Sequence, residues 1–395
     1  MDAAISSSVS SANVKLVPVH ENLPSAKTRV SSIDIVRGVV MLLMAIDHVR
    51  VYSGLPAGGS TPGIFFTRWV THFVAPAFCF LAGAGAWLHG RKLNTKKTLA
   101  WFLLTRGAWL IFLELTVLRI AWTFNLDFQH YMLAGVIWML GWCMVLLAGL
   151  IWLPVPVIAF FGLTIIAAHN ILDFYVPQIR PALQSSSVAW LAQFLYFGGT
   201  VEIGSAHIPL AVLYSIIPWI GVMAAGYAYG SLMDLPAEKR RRLNLAIGCG
   251  CIALFLILRS LDVYGDPRSW NPKPRPQQAA TQFKQPAATQ SSGTGGSAGA
   301  ASGNTSGASQ ATPAPARPAP VHPPAYIRFL NTAKYPASLL FLLMTLGPMF
   351  VGLALSENWR GKFADVLEVF GRVPMWYYLL HIPLIHVLAL LVSLV

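Results

Sequence analysis

Residues 32–50 read SIDIVRGVVMLLMAIDHVR, an apolar stretch long enough to cross a bilayer that nevertheless carries Asp34, Arg37, Asp47, His48 and Arg50. A segment in lipid must satisfy its own backbone as a helix, and ionisable side chains inside it are costly enough to be read as functional by default. At about 100° per residue, Arg37 and His48 fall within about 20° of each other around the helix and about 16 Å apart along it. They share one stripe, with Arg37 near one face of the membrane and His48 beyond the midplane. Asp34 stands one turn before Arg37 and is placed to hold its guanidinium. Adjacent residues on a helix do not face each other, so Asp47 is expected to meet Arg50 or a group on another span, and not His48.

The rest of the chain agrees with a membrane setting. Of 395 residues, 55% are hydrophobic and 11% charged, against about 25% charged in soluble domains; a soluble globular enzyme is excluded. Runs of about 20 apolar residues predict spans near 33–53, 65–89, 98–122, 133–152, 155–175, 208–231, 243–261, 337–356 and 374–394. The fold class is therefore an all-α polytopic membrane helix bundle of about nine transmembrane helices. The net charge of +13 would suggest nucleic acid in a soluble protein, but its distribution points to topology. Lys15, Lys27 and Arg29 precede the first span. Arg91, Lys92, Lys96 and Lys97 lie between the second and third, Lys239 to Arg242 between the sixth and seventh, and Arg360, Lys362 and Arg372 between the last two. With nine spans and a cytoplasmic N-terminus, all four clusters fall inside, as the positive-inside rule requires. The stretch 186–200 is too short to span and is expected to be interfacial or re-entrant.

Composition divides the chain into a polar, disordered cytoplasmic tail (1–29), a seven-span membrane part (30–261), a low-complexity Pro/Ala/Gly/Ser-rich noncytoplasmic linker (262–335) and a two-span C-terminal part (336–395). The four cysteines match no thiolate metal site and are expected to be packing residues. Gly83 and Gly85 in FLAGAGAW read as a small-residue helix contact, because no strand precedes them to make a phosphate loop.

Other polar residues are placed by depth. Arg68 and His72 lie one turn apart on the second span. The third span carries Arg106 in its cytoplasmic half and Glu114 and Arg119 in its outer half, with Asn125, Asp127 and His130 in the connection that follows. His48, His72, Glu114, Asp127 and His130 thus share a depth, while Arg68, Arg119 and Asp127 are expected to snorkel to the interface. The plain alternative for His48 is a polar side chain satisfied by one interhelical hydrogen bond. In the last span, His381 is placed to enter the bundle interior. His386 follows at a spacing poor for chelation, and no HExxH or CxxC motif appears, so no metal is expected.

The first span, together with FFTRWVTHFVAPAFCFLAGAGAWL, KYPASLLFLLMTLGP and FGRVPMWYYLLHIPLIH, resembles the bacterial relatives of heparan-alpha-glucosaminide N-acetyltransferase. Arg37, ten residues and His48 are also similar to the first-span pattern of the acyltransferase-3 family. The resemblance implies an integral protein of the bacterial cytoplasmic (inner) membrane that uses acetyl-CoA or another acyl-CoA as donor substrate, with no permanently bound cofactor. The acceptor is a carbohydrate, glycoconjugate or other hydroxyl or amine on the noncytoplasmic side. The implied partners are acyl-CoA, that acceptor and the lipid bilayer, with no nucleic acid; a homo-oligomer stays open. On this reading Arg37, steadied by Asp34 and helped by Arg106 or Arg372, holds the donor phosphates. His48 serves as base or acyl carrier, and Asp47, His72 or Glu114 orients it. The family's proposed catalytic histidine in the first noncytoplasmic loop has no counterpart in SGLPAGGSTPGIFF, which leaves His48 or His72 to serve. The alternative is a proton-coupled transporter of a small solute using the same His, Asp and Glu residues. The chain shows no internal repeat of the kind inverted-repeat transporters carry.

Overall fold

The computed structural model describes residues 30–54, 61–271 and 323–394. The expected tail (1–29) and the body of the linker (272–322) lie outside the described residues. Ten principal helices follow in order: α1 (Ser31–Tyr52), α2 (Pro62–Gly90), α3 (Lys96–Thr123), α4 (Val136–Leu150), α5 (Val155–Gln184), α6 (Ile216–Asp234), α7 (Ala237–Leu261), α8 (Leu339–Ser356), α9 (Lys362–Arg372) and α10 (Pro374–Ser393). Seven of them, α2, α3, α5, α6, α7, α8 and α10, are long and apolar enough to cross a membrane. The protein is an integral membrane helix bundle. α1 has 22 residues but carries four charged side chains, and α4 has 15, about 22 Å against a hydrocarbon thickness of about 30 Å.

Two expected spans begin differently from their sequence reading. A small sheet forms from β1 (Met132–Ala134), β2 (Gly199–Ile203) and β3 (Ile208–Val212), in the order β1-β3-β2. β1 runs parallel to β3 with Met132 opposite Leu210, and β2 runs antiparallel to β3 with Val201 opposite Leu210. Residues 208–212, predicted as the start of a span, are therefore strand, and the helix begins at Ile216. The cause is local: Gly204 and His207 take positive φ angles of 66° and 50° and turn the chain into a hairpin. A short apolar run such as IPLAV does not separate strand from helix by periodicity. The stretch 186–200 makes two short helical turns, Ala189–Ala192 and Gln193–Phe197, before entering β2.

α6 is the central helix, buried from Ile216 to Gly230 except for one half-buried position at Ile217. It crosses α2 at near backbone contact: a Cβ on Gly83 would lie 2.1 Å from the Met223 carbonyl oxygen, and one on Gly226 2.1 Å from that of Phe80. Lipid offers no hydrophobic drive between helices, so such close approach supplies the packing. Trp101, Phe160, Leu163 and Leu380 are exposed on the outside, as lipid-facing positions should be.

The two described flanks of the linker are clasped to each other and to the bundle. The guanidinium of Arg259, at the end of α7, donates to the carbonyls of Phe329 (2.9 Å), Arg268 (2.8 Å), Arg328 (3.0 Å) and Asn331 (3.1 Å). Asp266 accepts from the amide of Ala333 (2.7 Å) and the hydroxyl of Ser338 (2.9 Å). Burial pushes the Asp266 carboxyl above the usual carboxylate range. Asn170 adds a bond from the Leu339 amide at 2.7 Å.

Candidate functional site

The stripe read on α1 organises the interior. Arg37, Met41, Met44 and His48 succeed one another about one turn apart on one face. Met41 and Met44 are fully buried. At one end the Arg37 guanidinium donates to the Leu81 carbonyl of α2 at 2.7 Å and lies 3.5 Å from Asp34, the ion pair the sequence suggested.

Arg37 opens onto a cavity of about 870 Å³ walled by the start of α1, the end of α2, the α6–α7 turn and the α8–α9 connection. Its lining includes Asp34, Arg37, Arg91, Lys92, Arg240 and Arg360. Arg91 pairs with Asp234 and Arg240 with Glu357, whose carboxylate also accepts from the Ser32 hydroxyl at 3.0 Å. Lys92 and Arg360 make no ion pair among the described residues. The predicted helpers are elsewhere: Arg106 is exposed on α3 with its guanidinium 5.6 Å from the Phe102 ring, and exposed Arg372 pairs with Glu368. The cations that gather with Arg37, namely Arg91, Lys92, Arg240 and Arg360, belong to the clusters that the sequence marks for topology.

At the other end of the stripe, His48 meets α10. Its Nδ1 is 2.6 Å from Nε2 of His381, and the two rings lie side by side with their centroids 4.8 Å apart and 15° between their planes. His381 Nδ1 lies 2.7 Å from the Tyr377 carbonyl oxygen. Trp122 and Tyr378 close the site edge-on, at 4.8 and 5.9 Å from the His48 ring. His48 Nε2 has no hydrogen-bond partner among the described residues. The interhelical hydrogen bond of the plain alternative is therefore present, with a second imidazole as its partner. Beyond this pair, His386 stacks on Phe124 and Tyr52 at 3.9 and 4.6 Å.

The remaining sequence candidates disperse. Asp47 pairs with Arg50 at 2.9 Å, as expected. Glu114 does not reach His48; its carboxylate accepts from the amides of Ile137 (2.9 Å) and Trp138 (3.2 Å) and so caps the start of α4. His72 is buried against Phe341 at 5.5 Å, and neither ring nitrogen has a hydrogen-bond partner among the described residues. Lys334, a buried residue assigned to the linker by composition, lies within electrostatic range of His72, Asp47 and His48. Asp127 and His130 form an exposed pair at 2.6 Å, and the His130 ring holds the Asp127 carboxyl below its usual range. Arg119, expected to snorkel, is buried and ties the carbonyls of Asn125, Asp127 and Tyr131 together. Its connection folds back over it and supplies acceptors that water would otherwise provide. No group of three His, Cys, Asp or Glu residues suited to a metal ion occurs among the described residues.

A membrane helix bundle with a basic cavity at one end of a helical stripe and a paired histidine at the other defines the class of protein. Residues 29–264 match the family model of the catalytic region of heparan-alpha-glucosaminide N-acetyltransferase, and the chain belongs to that family. The match takes in α1 to α7 and ends before α10. No curated protein and no solved structure matches the chain.

Proposed function

We propose that the protein is a membrane acetyltransferase that takes an acyl group from cytoplasmic acyl-CoA and delivers it to a hydroxyl or amine of a sugar acceptor on the opposite side. Family membership supports acetyl transfer. The observation that carries the rest is the single stripe of α1, which leads from the basic cavity at Arg37 to His48. Guanidinium and ammonium groups suit the phosphates of CoA, and its extended pantetheine arm suits a path of about 16 Å along a helix. His48 acts as the base: as the acceptor oxygen or nitrogen attacks the thioester carbon, Nε2 takes its proton. The C–S bond breaks, and the departing thiolate recovers that proton from the imidazolium. An acyl-imidazole intermediate uses the same geometry with His48 attacking first.

In this reading all nine expected spans cross the inner membrane, α1 and α4 included. The N-terminus is cytoplasmic and the linker noncytoplasmic. Support comes from the cavity, whose walls unite Arg91 and Lys92, Arg240, and Arg360, members of three of the basic clusters, at one end of the bundle. Reporter fusions at the α6–α7 turn and within the linker check the sidedness. The test of function is incubation of purified protein with radiolabelled acetyl-CoA and candidate sugars. Wild type should release CoA and label the acceptor, and His48→Ala, still inserted and monodisperse, should do neither. Normal transfer by that variant overturns the mechanism; solute uptake by vesicles without any need for acyl-CoA replaces it with transport.

A further inference from the structure

We infer that His381 is the positioning residue that fixes the tautomer of His48 and so determines which nitrogen does the chemistry; the inference rests on the acyltransferase reading above. The reasoning starts at the Tyr377 carbonyl, which accepts hydrogen bonds and never donates. His381 Nδ1, 2.7 Å away, must therefore carry a proton. A neutral His381 then has its lone pair on Nε2. That lone pair faces His48 Nδ1 at 2.6 Å, so Nδ1 of His48 must be the donor. His48 is left with an unprotonated Nε2, the one nitrogen of the pair that has no protein partner among the described residues.

The other arrangements fail on elementary grounds. Reversing the shared hydrogen bond leaves either two lone pairs facing each other at Tyr377 or a charged His381 with no carboxylate bonded to it. A buried charge without a bonded counter-charge is expensive. The chain Tyr377 carbonyl, His381, His48 thus has one neutral solution, and it aims a basic lone pair away from α10. During transfer the proton taken from the acceptor resides on His48 Nε2. The resulting imidazolium keeps its Nδ1 bond to the His381 lone pair, which strengthens as charge develops. His381 neither gains nor loses a proton. Its place is that of an orienting group behind a catalytic imidazole, filled here by a second histidine whose own tautomer is set by backbone.

Two measurements test this on the full-length protein in lipid. The first is solid-state NMR of protein with 15N- and 13C-labelled histidine, assigned with His48→Ala and His381→Gln. His48 should show a protonated Nδ1 and an unprotonated Nε2, and His381→Leu should release that preference. The second is kinetics. His381→Leu should lower kcat by about 100-fold with KM for acetyl-CoA little changed. In His381→Gln, the side-chain carbonyl oxygen can take the place of Nε2 as acceptor, and kcat should recover to within about 10-fold of wild type. A wild-type His48 protonated at Nε2, or a well-folded His381→Leu with wild-type kcat, overturns the inference. Equal loss of kcat in the Leu and Gln variants also overturns it, because an orienting acceptor would have been restored. Failure of the wild type to transfer any acyl group overturns the acyltransferase reading instead, and the tautomer spectrum then decides this inference alone.

Discussion

His72 is the residue whose structure and cost are least balanced. A buried imidazole with neither nitrogen bonded among the described residues forgoes about 1–3 kcal/mol for each unmet polar group, and a protein keeps such a group where something else offsets the loss. His72→Phe preserves the ring and its contact with Phe341 while removing the unmet nitrogens. The variant should unfold at higher temperature than wild type in the same detergent, while acyl transfer falls by about 10-fold or more. Unchanged transfer would make His72 a packing residue. At this scale Arg37 and His48 were legible in the sequence because one helical period relates them. His381 as the partner of His48 was not, since 333 positions separate the two and only the docking of α10 against α1 brings them together. Depth along a span does not tell what Glu114 faces: its carboxylate turns toward the first amides of α4, a helix that folds back beside α3. Lys334 was hidden by averaging, its charge lost in a segment whose composition is that of a linker.

Among the elements, α1 carries most of the proposed chemistry, and its middle decides whether the two ends communicate. Met41 and Met44 fill the stripe between Arg37 and His48, and an unbranched thioether side chain yields more readily than a branched one. An acyl-pantetheine arm travelling from cavity to imidazole has to displace them. Met44→Trp should leave CoA binding at the cavity within about two-fold of wild type and reduce acyl transfer by about 100-fold, as misplacement of a reacting group does. Met44→Leu, a swap that conserves volume, should keep most of the activity. Calorimetric titration with CoA beside a transfer assay separates the two effects, and equal loss of binding and transfer would mean that Met44 belongs to the cavity wall. Helix periodicity predicted this stripe because a single helix obeys one angle. The sheet follows no such single angle: β2 and β3 pair across a local hairpin whose short apolar strands do not differ in periodicity from helix, and Leu210 meets Met132 only through a non-local pairing.

At the scale of the whole molecule, the two membrane parts expected on either side of the linker are bound by more than a tether. Both linker flanks converge on Arg259, whose guanidinium makes four bonds to backbone carbonyls on either side of the described gap. Trp270 and Phe329, one from each flank, meet at 5.4 Å, so the chain leaves and re-enters the clasp at nearly the same place. The hydrogen bond between His48 and His381 needs this union, since His48 stands in the first part and His381 in the second. Two variants should therefore behave oppositely. Replacing 272–322 with a short Gly-Ser bridge removes 51 residues of the sequence yet leaves the clasp intact, and unfolding temperature and transfer rate should stay at wild-type values. Arg259→Leu keeps the full length but leaves four backbone carbonyls without their donor, a loss of about 1–3 kcal/mol. It should lower the unfolding temperature and separate His48 from His381, with transfer falling in proportion. If the bridge variant loses activity while its unfolding temperature holds, the linker has a part in acceptor delivery that the clasp does not supply.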